Sequence, residues 1–299
     1  MIETTALTKR YGNTTAVDDV TFTCRPGTIT GFLGSNGAGK STTLRMLTGL
    51  IPPTSGEALI DGVPYRALPN PARVVGVMLD ASAQHPGRTG RETLRLAASL
   101  IGAPARRADA ELERVGLSGA ATKRVGRYSL GMRQRLGIAA ALLGNPTALM
   151  LDEPANGLDP EGITWMRTLL RDFADEGGTV LLSSHLLREV QATADRLVVI
   201  ASGRVVAQGP LDELLAGAAP TTDVRGPDPA ALGAALSSAG LDFTAAPDGA
   251  LRVQATPEVV GHATAAARQV VTELRSTGTT DLEEWFLHLT GGAPATTAA

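Results

Sequence analysis

The sequence predicts an α/β fold with a mostly parallel sheet, followed by a smaller α+β domain. Strand-like and helix-like segments alternate over the first two thirds of the chain, which is typical of a parallel sheet with helical crossovers. A glycine-rich loop directly follows the apolar strand 28–33 and opens a helix. The composition then shifts at 217–220, where glycine, alanine and proline indicate a linker.

The first domain is expected at residues 1–217. Its predicted elements are strand 28–33, a helix to about residue 48, strand 74–79, helices within 90–117, a helix opened by 128–135, strand 147–152, a helix near 161–175, strand 179–183, a helix at about 186–193, a strand within 195–201, and a short return strand after a turn at 202–203. The stretch 80–128 interrupts the alternation, which predicts a helical insertion, or subdomain, in the core.

The second domain is expected at residues 221–290. We predict a first strand, helix 228–239, strand 241–246, turn 247–249, strand 250–254, helix 257–267, strand 269–274 and helix 281–290. The order βαββαβ suits a small ferredoxin-like unit. In the last helix, Leu282, Trp285, Phe286 and Leu289 share one apolar face, which either packs on its own domain or forms a dimer or regulatory surface. Residues 291–299 are predicted to be a flexible tail.

The composition limits the class of protein. With 43% hydrophobic and 19% charged residues, the chain of 299 residues is typical of a soluble globular protein. Its net charge of −3 gives no reason to expect a nucleic-acid partner. Cys24 is the single cysteine, so an intrachain disulfide is impossible and a reducing compartment is expected. We expect neither a secretory signal nor a membrane-spanning segment.

The glycine-rich loop matches the phosphate-loop pattern G-x-x-x-x-G-K-[ST] and lies between a strand and a helix, as its mechanism requires. Its residues are Gly34, Ser35, Asn36, Gly37, Ala38, Gly39, Lys40 and Ser41. The glycines let backbone N–H groups surround phosphate at the helix N-terminus. Lys40 is expected to reach the β- and γ-phosphates of a nucleotide, Ser41 to bind Mg²⁺, and Thr42 to contact the α-phosphate.

Two carboxylates follow the apolar strand that ends near residue 151. Asp152 is expected in the Mg²⁺ shell, commonly through water, although an acidic residue at a strand end can also cap the next segment. Glu153 is a candidate general base, and the alternative is an exposed loop glutamate.

Taken with the segment at 128–135, these motifs resemble the ATP-binding cassette (ABC) ATPases over about residues 2–216. The resemblance implies a P-loop NTPase core with an N-terminal antiparallel β part, binding ATP and Mg²⁺. It implies that Glu153 polarises the attacking water and that His185 senses the γ-phosphate. Tyr11 takes the place of the aromatic residue that stacks on adenine, although a surface hairpin tyrosine would look the same.

Two further motifs imply an ATP shared between subunits. Ser129, Leu130, Gly131 and Met132 correspond to the signature that contacts the γ-phosphate of ATP held by a second subunit. Ser129 can also cap its helix, and the two roles are compatible. Asp159, in the loop 156–159 that crosses the dimer interface, is equally well explained as the N-cap of a helix that begins with proline.

The sequence departs from the family pattern in two places. Leu130 and Met132 replace a glycine and the glutamine of the signature, and Asp80 stands where a glutamine normally contacts Mg²⁺ and water. Gln84 could take that role only if its loop bends inward. We hypothesise that Asp80 couples ATP binding to the membrane partner less tightly than glutamine would.

The resemblance implies an ATPase subunit of a bacterial exporter for drugs, antibiotics or bacteriocins. A second ATPase subunit, expected to be identical, and separate transmembrane permease subunits would be its partners, and they would hold it at the inner face of the cell membrane. An importer subunit is the main alternative. A soluble ABC ATPase acting on ribosomes or DNA is disfavoured, because the chain has one cassette, is mildly acidic and leaves no room for long coiled coils between residues 42 and 128.

Overall fold

A computed structural model of the chain describes residues 1–216, 221–246, 248–276 and 282–290. Two compact units are present, the first Met1–Leu211 and the second beginning at Asp212. The predicted linker at 217–220, residue 247 of the predicted turn, residue 281 of the last predicted helix and the predicted tail at 291–299 lie outside the described residues. Within the described ranges, no helix has the length and apolar character needed to cross a membrane.

The first unit contains an antiparallel sheet, a larger mixed sheet and the helices between them. Its strands are β1 (Ile2–Tyr11), β2 (Thr14–Cys24), β3 (Thr28–Leu33), β4 (Ser55–Ile60), β5 (Val75–Met78), β6 (Ala148–Asp152), β7 (Thr179–Ser184), β8 (Arg196–Ala201) and β9 (Arg204–Pro210). Its helices are α1 (Lys40–Leu47), α2 (Gly90–Leu100), α3 (Arg106–Arg114), α4 (Leu130–Leu142), α5 (Pro160–Asp175) and α6 (Leu187–Gln191), and α7 (Leu211–Ala216) follows at the boundary. Short 3₁₀ turns occur at Tyr65–Ala67, Pro71–Arg73, Ser118–Ala120 and Val125–Arg127.

The larger sheet has the strand order β5-β6-β7-β3-β8-β9, in which all neighbours are parallel except β8 and β9. Its interior strand β6 is an unbroken buried apolar run from Ala148 to Leu151, as expected for a strand covered on both faces. Leu33 is in register with Ser184, and Asp152 with Ser183. The carboxyl ends of β3, β6 and β7 therefore meet at one edge of the sheet, which is where ligands bind in open α/β sheets.

The smaller sheet of this unit has the order β2-β1-β4 and is antiparallel throughout. Its inward-facing side chains, including Ile2, Val20 and Phe22, join α1 and the larger sheet in one apolar core. The structure thus confirms the predicted parallel core with an N-terminal antiparallel part.

The helical insertion has a core of its own. Leu94 of α2, Leu112 of α3 and Leu136 of α4 are fully buried together, with Trp165 of α5 packed against their cluster. The amphipathic helices predicted within 90–117 are therefore α2 and α3, and α4 provides the third wall of the same core. This arrangement matters for the site, because α4 begins at the signature segment.

The second unit follows the predicted βαββαβ order with a final helix. Its elements are β10 (Thr222–Arg225), α8 (Pro229–Ser238), β11 (Phe243–Ala245), β12 (Leu251–Val253), α9 (Pro257–Ala266), β13 (Glu273–Ser276) and α10 (Leu282–Thr290). The antiparallel sheet order β11-β12-β10-β13 is that of a ferredoxin-like unit. On α10, Leu282 is buried, Trp285 and Phe286 are half-buried, and Leu289 is exposed.

One predicted element of this unit is displaced. The last strand was expected at 269–274, but β13 spans Glu273–Ser276. The residues between are used to end α9: Arg268 adopts a left-handed φ of 52°, and the N–H of Gln269 donates to the carbonyl oxygen of Thr264. This is a helix C-terminal cap, which leaves these residues unable to join a strand.

Candidate functional site

The phosphate loop occupies the carboxyl end of β3 and leads into α1. Gly37 and Gly39 have φ angles of 81° and 109°, where a side chain is strained, and a Cβ on Gly39 would lie 2.7 Å from the carbonyl oxygen of Ala16. Gly39 is also the N-cap of α1 and provides no side-chain cap. The first N–H groups of this helix are therefore available to an anion.

Lys40 folds back over the loop. Its Nζ donates to the carbonyl oxygen of Gly34 at 2.6 Å and to that of Ser35 at 3.3 Å, and the residue is only 7% exposed. Burial lowers the pKa of Lys40, and the nearby carboxylates of Glu153 and Asp152 oppose that shift. A cation is thus held inside the loop by neutral carbonyl groups, which phosphate oxygens could replace.

Ser41 and Asp152 come together across the sheet edge. The Oγ of Ser41 donates to Oδ2 of Asp152 at 3.0 Å, and the Oγ of Ser183 donates to Oδ1. A hydroxyl and a carboxylate are ligands that Mg²⁺ accepts, and Mg²⁺ sites use few protein ligands together with substrate phosphates. Ser41 and Asp152 therefore fit the predicted ion.

These residues surround a cavity of about 270 Å³. It is lined by Ala16, Ser35, Asn36, Gly37, Gly39, Lys40, Ser41, Thr42, Asp152 and Glu153. The glycine, lysine and hydroxyl groups of this lining suit the phosphates of a nucleotide. Of the predicted loop residues, Gly34 and Ala38 lie behind this lining. Both are buried, and a Cβ on Gly34 would lie 2.5 Å from the carbonyl oxygen of Ile200.

Glu153 and His185 form a pair beside the cavity. Nδ1 of His185 lies 2.7 Å from Oε2 of Glu153, and the backbone N–H of His185 donates to the same oxygen at 3.3 Å. Glu153 has a left-handed backbone with φ of 51°, and its N–H lies 3.2 Å from the carbonyl oxygen and 3.1 Å from the Oγ of Ser183. The structure therefore brings the two predicted catalytic side chains into contact.

Two contacts in this region were not predicted from the sequence. Ser183 holds both Asp152 and the backbone of Glu153, and the Nε2 of Gln134 donates to the carbonyl oxygen of Glu153 at 3.3 Å. The available signals were weak: Ser183 is a polar residue at the end of an apolar strand, and Gln134 is the one side-chain amide in α4.

The signature segment starts α4. Ser129 is its N-cap and accepts from the N–H of Met132 at 3.2 Å, and Leu130 is 51% exposed. A Cβ on Gly131 would lie 2.8 Å from the carbonyl oxygen of Gly157, and Gly157 itself lies against the Leu130 side chain. The signature and the loop 156–159 are thus packed together.

Asp159 closes this loop as the N-cap of α5, accepting from the N–H of Gly162 at 2.8 Å, with Pro160 in the first turn. The capping role predicted for Asp159 is present. Among the described residues, neither Asp159 nor Ser129 has a hydrogen bond to the phosphate loop of its own chain. The roles predicted for both in contacting a second subunit stay predictions.

Tyr11 lies at the end of β1, where the hairpin to β2 turns. Its side chain is 51% exposed, and Nζ of Lys9 lies 5.1 Å from the ring centroid. It does not line the phosphate cavity. An exposed ring outside that cavity is compatible with stacking on a base and with a surface hairpin tyrosine, so the predicted stacking stays a prediction.

Asp80 and Gln84 point in different directions. Oδ1 of Asp80 accepts from the N–H of Ser82 at 2.7 Å and from its Oγ at 2.6 Å, and these bonds hold the pKa of Asp80 below its ordinary value. Gln84 is half-buried, and its Nε2 lies 3.4 Å from the position of a Cβ on Gly137 of α4. Gln84 therefore lies close to α4, and no hydrogen bond within the described chain joins Asp80 or Gln84 to Ser41 or Asp152, so the role of either residue at the metal stays a prediction.

Comparison with known proteins agrees with this geometry. A profile of the ABC transporter family matches residues 17–156. The chain is 45% identical over 217 residues to the bacitracin transport ATP-binding protein BcrA of Bacillus licheniformis, covering 72% of this chain and 71% of the relative. It is 34% identical over 212 residues to the lantibiotic transport ATP-binding protein SrtF of Streptococcus pyogenes, covering 71% and 92%.

Solved structures give the same result. An ATP-binding subunit of an ABC transporter superposes with a TM-score of 0.66 at 31% identity, covering 72% of this chain and 91% of that one. The dimeric post-hydrolysis state of the ATP-binding cassette MJ0796, bound to ADP and Pi, superposes with a TM-score of 0.65 at 25% identity, covering 70% and 98%.

Proposed function

The chain belongs to the ABC transporter family as an ATP-binding subunit with ATPase activity, and from this premise we propose that it energises a bacterial exporter of peptide antibiotics. The observation that carries the energising role in this proposal is the convergence of Lys40, the Ser41–Asp152 pair and Glu153, with His185 behind it, on one phosphate cavity. That set contains a phosphate cradle, a metal site and a base, which are the parts that ATP hydrolysis needs.

Hydrolysis proceeds by attack of water on the γ-phosphorus. The new oxygen–phosphorus bond forms as the bond to the β–γ bridging oxygen breaks, and Glu153 accepts the proton that the water loses. His185 holds Oε2 of Glu153 and so fixes the direction of that carboxylate. Ser41 and Asp152 would hold Mg²⁺, and the ion would supply positive charge to offset the negative charge of the phosphate oxygens. Lys40 exchanges its carbonyl partners for those same oxygens.

The assembly is a pair of identical cassettes with ATP between them. Ser129 and the first N–H groups of α4 contact the γ-phosphate of the partner's ATP, which explains why they have no role in the site of their own chain. The dimeric state of the cassette MJ0796 supports this arrangement. Closure on binding and opening after hydrolysis drive separate transmembrane permease subunits, which hold the protein at the inner face of the cell membrane.

Export of peptide antibiotics is supported by the relatives whose names give bacitracin and lantibiotic transport. The test is to express the chain with the membrane protein encoded beside it in a bacitracin-sensitive bacterium. We expect wild-type chain to raise the tolerated bacitracin concentration and Glu153→Gln to leave it unchanged. Unchanged tolerance together with chain-dependent uptake of a solute would overturn export in favour of import.

The dimer is tested separately with purified protein. We expect Glu153→Gln to accumulate as an ATP-bound dimer in size-exclusion chromatography and wild type to return to monomer as ATP is consumed. Monomers alone with ATP, even beside the membrane partner, would contradict the sandwich.

A further inference from the structure

Three side chains hold Glu153, two of them through its backbone and one through its carboxylate. Ser183 accepts from its N–H, His185 fixes its carboxylate, and Gln134 donates to its carbonyl oxygen. Glu153 needs such support, because a left-handed conformation costs a non-glycine residue about 1–2 kcal/mol. The first two contacts come from the end of β7, whereas the third comes from α4.

Gln134 is an unusual choice for its position. It is only 5% exposed, and within the described chain its Oε1 is buried without a hydrogen-bond partner. The amide cannot turn over, because the carbonyl oxygen of Glu153 only accepts and would be repelled by Oε1. A buried unpaired acceptor costs about 1–3 kcal/mol. An apolar side chain of similar volume would remove Oε1 but would also take the donor from the carbonyl oxygen of Glu153, so the two effects on stability oppose each other. What the amide provides and an apolar side chain does not is therefore the donor to Glu153.

Helix α4 connects Gln134 to the signature. Ser129 caps the helix, Gly131 packs on the carbonyl oxygen of Gly157, and Gln134 lies one turn further on. A shift of α4 at its N-terminus therefore moves the donor that holds Glu153.

We propose that Gln134 is a positioning residue that couples the signature helix α4 to Glu153. When α4 contacts the ATP bound by the partner subunit, Gln134 thereby sets the position of Glu153 in the site of its own subunit. Gln134 does not line the phosphate cavity, and it acts through the carbonyl group of Glu153. The coupling across the dimer rests on the proposed function, whereas the local effect on Glu153 rests on the geometry alone.

The test uses Gln134→Met in the full chain with its membrane partner. Methionine keeps the volume, removes the donor and removes the unpaired Oε1. We expect kcat for ATP hydrolysis to fall roughly ten- to hundredfold, as a small misplacement of a reacting group does. We expect KM and the binding of a fluorescent ATP analogue to be unchanged. The urea midpoint of unfolding should stay close to that of wild type, because Oε1 and the donor to Glu153 are removed together. Gln208→Met, at an exposed glutamine of β9, is the matched control and keeps wild-type kinetics.

An unchanged kcat in Gln134→Met overturns the inference. A fall in kcat accompanied by a clearly lower urea midpoint also overturns it, because unfolding would then explain the lost activity. If Gln134→Met does not fold, the same measurements are made on Gln134→Asn, whose amide is one methylene too short to reach the carbonyl oxygen of Glu153. Coupling through α4 is tested by combining Ser129→Ala with Gln134→Met. The kcat of this double variant should be no lower than that of the slower single variant. If the two losses of kcat multiply in the double variant, the coupling is contradicted. If wild type itself neither hydrolyses ATP nor dimerises, the proposed function fails rather than this inference.

Discussion

Nδ1 of His185 lies 2.7 Å from Oε2 of Glu153, and the amide nitrogen of His185 lies 3.3 Å from the same oxygen. Two donors from the end of β7 thus converge on one oxygen of the carboxylate that follows β6. Because a carboxylate oxygen accepts, the hydrogen of the side-chain contact lies on Nδ1. His185 therefore sets the orientation of Glu153.

Replacing His185 should impair the base without impairing binding. We expect His185→Ala to lower kcat roughly a hundredfold, because the carboxylate loses its orientation. Glu153→Gln should lower kcat by about 10²–10⁴-fold, because the proton acceptor is lost. Both variants should retain the affinity of wild type for a fluorescent ATP analogue. Steady-state release of inorganic phosphate measures the rates.

The double variant distinguishes one catalytic unit from two independent residues. If His185 acts through Glu153, His185→Ala should have little further effect in the Glu153→Gln background. His262→Ala, at an exposed histidine of α9, is the control and should match wild type. Losses that multiply in the double variant would show that His185 acts on the phosphate by itself.

The close approach of Gly131 to Gly157 predicts that the signature tolerates no side chain at this position. A Cβ at 131 would lie 2.8 Å from a backbone oxygen, so Gly131→Ala should lower the free energy of unfolding by about 1–3 kcal/mol or displace the loop 156–159. Urea denaturation measures the first effect. Gly119→Ala, where a Cβ meets nothing within 4 Å, should be close to neutral. Equal stability of the two variants, with wild-type ATPase, would refute the steric argument.

The sequence predicts the phosphate edge well because each part of it is local. The loop 34–41 has its own pattern, Asp152 ends an unbroken apolar strand, and parallel strands bring their carboxyl ends to one edge. The contact between Gln134 and Glu153 has no such local signal, because it depends on where α4 lies against β6. The strand that follows α9 is displaced for a related reason, since the left-handed conformation of Arg268 that ends the helix is a choice between two backbone conformations that composition does not decide.

Asp80 is expected to weaken the coupling to the membrane partner. Its carboxylate is engaged by Ser82 rather than by Ser41 or Asp152, and glutamine is longer and uncharged. We expect Asp80→Gln to raise the stimulation of ATPase by the membrane partner about fivefold, a typical coupling between sites. Asp80→Asn separates the loss of charge from the gain in length. Unchanged basal rate and unchanged stimulation in Asp80→Gln would show that this position has no part in coupling.

Glu111 should make the helical insertion sensitive to pH. The residue is buried in α3, and this burial raises its pKa above the ordinary value of 4.5. Arg107, whose Nη2 lies 2.7 Å from Oε1 of Glu111, opposes the shift but does not cancel it. A carboxyl group with a raised pKa in the folded state stabilises the fold below its unfolded pKa and loses that contribution as the pH rises through the folded pKa. Glutamine keeps an oxygen that accepts from Arg107, and it does not ionise, so it does not lose stability as the pH rises. The free energy of unfolding of Glu111→Gln, measured in urea, should therefore gain on that of wild type as the pH rises above about 4.5. A difference between Glu111→Gln and wild type that stays constant with pH would contradict the prediction.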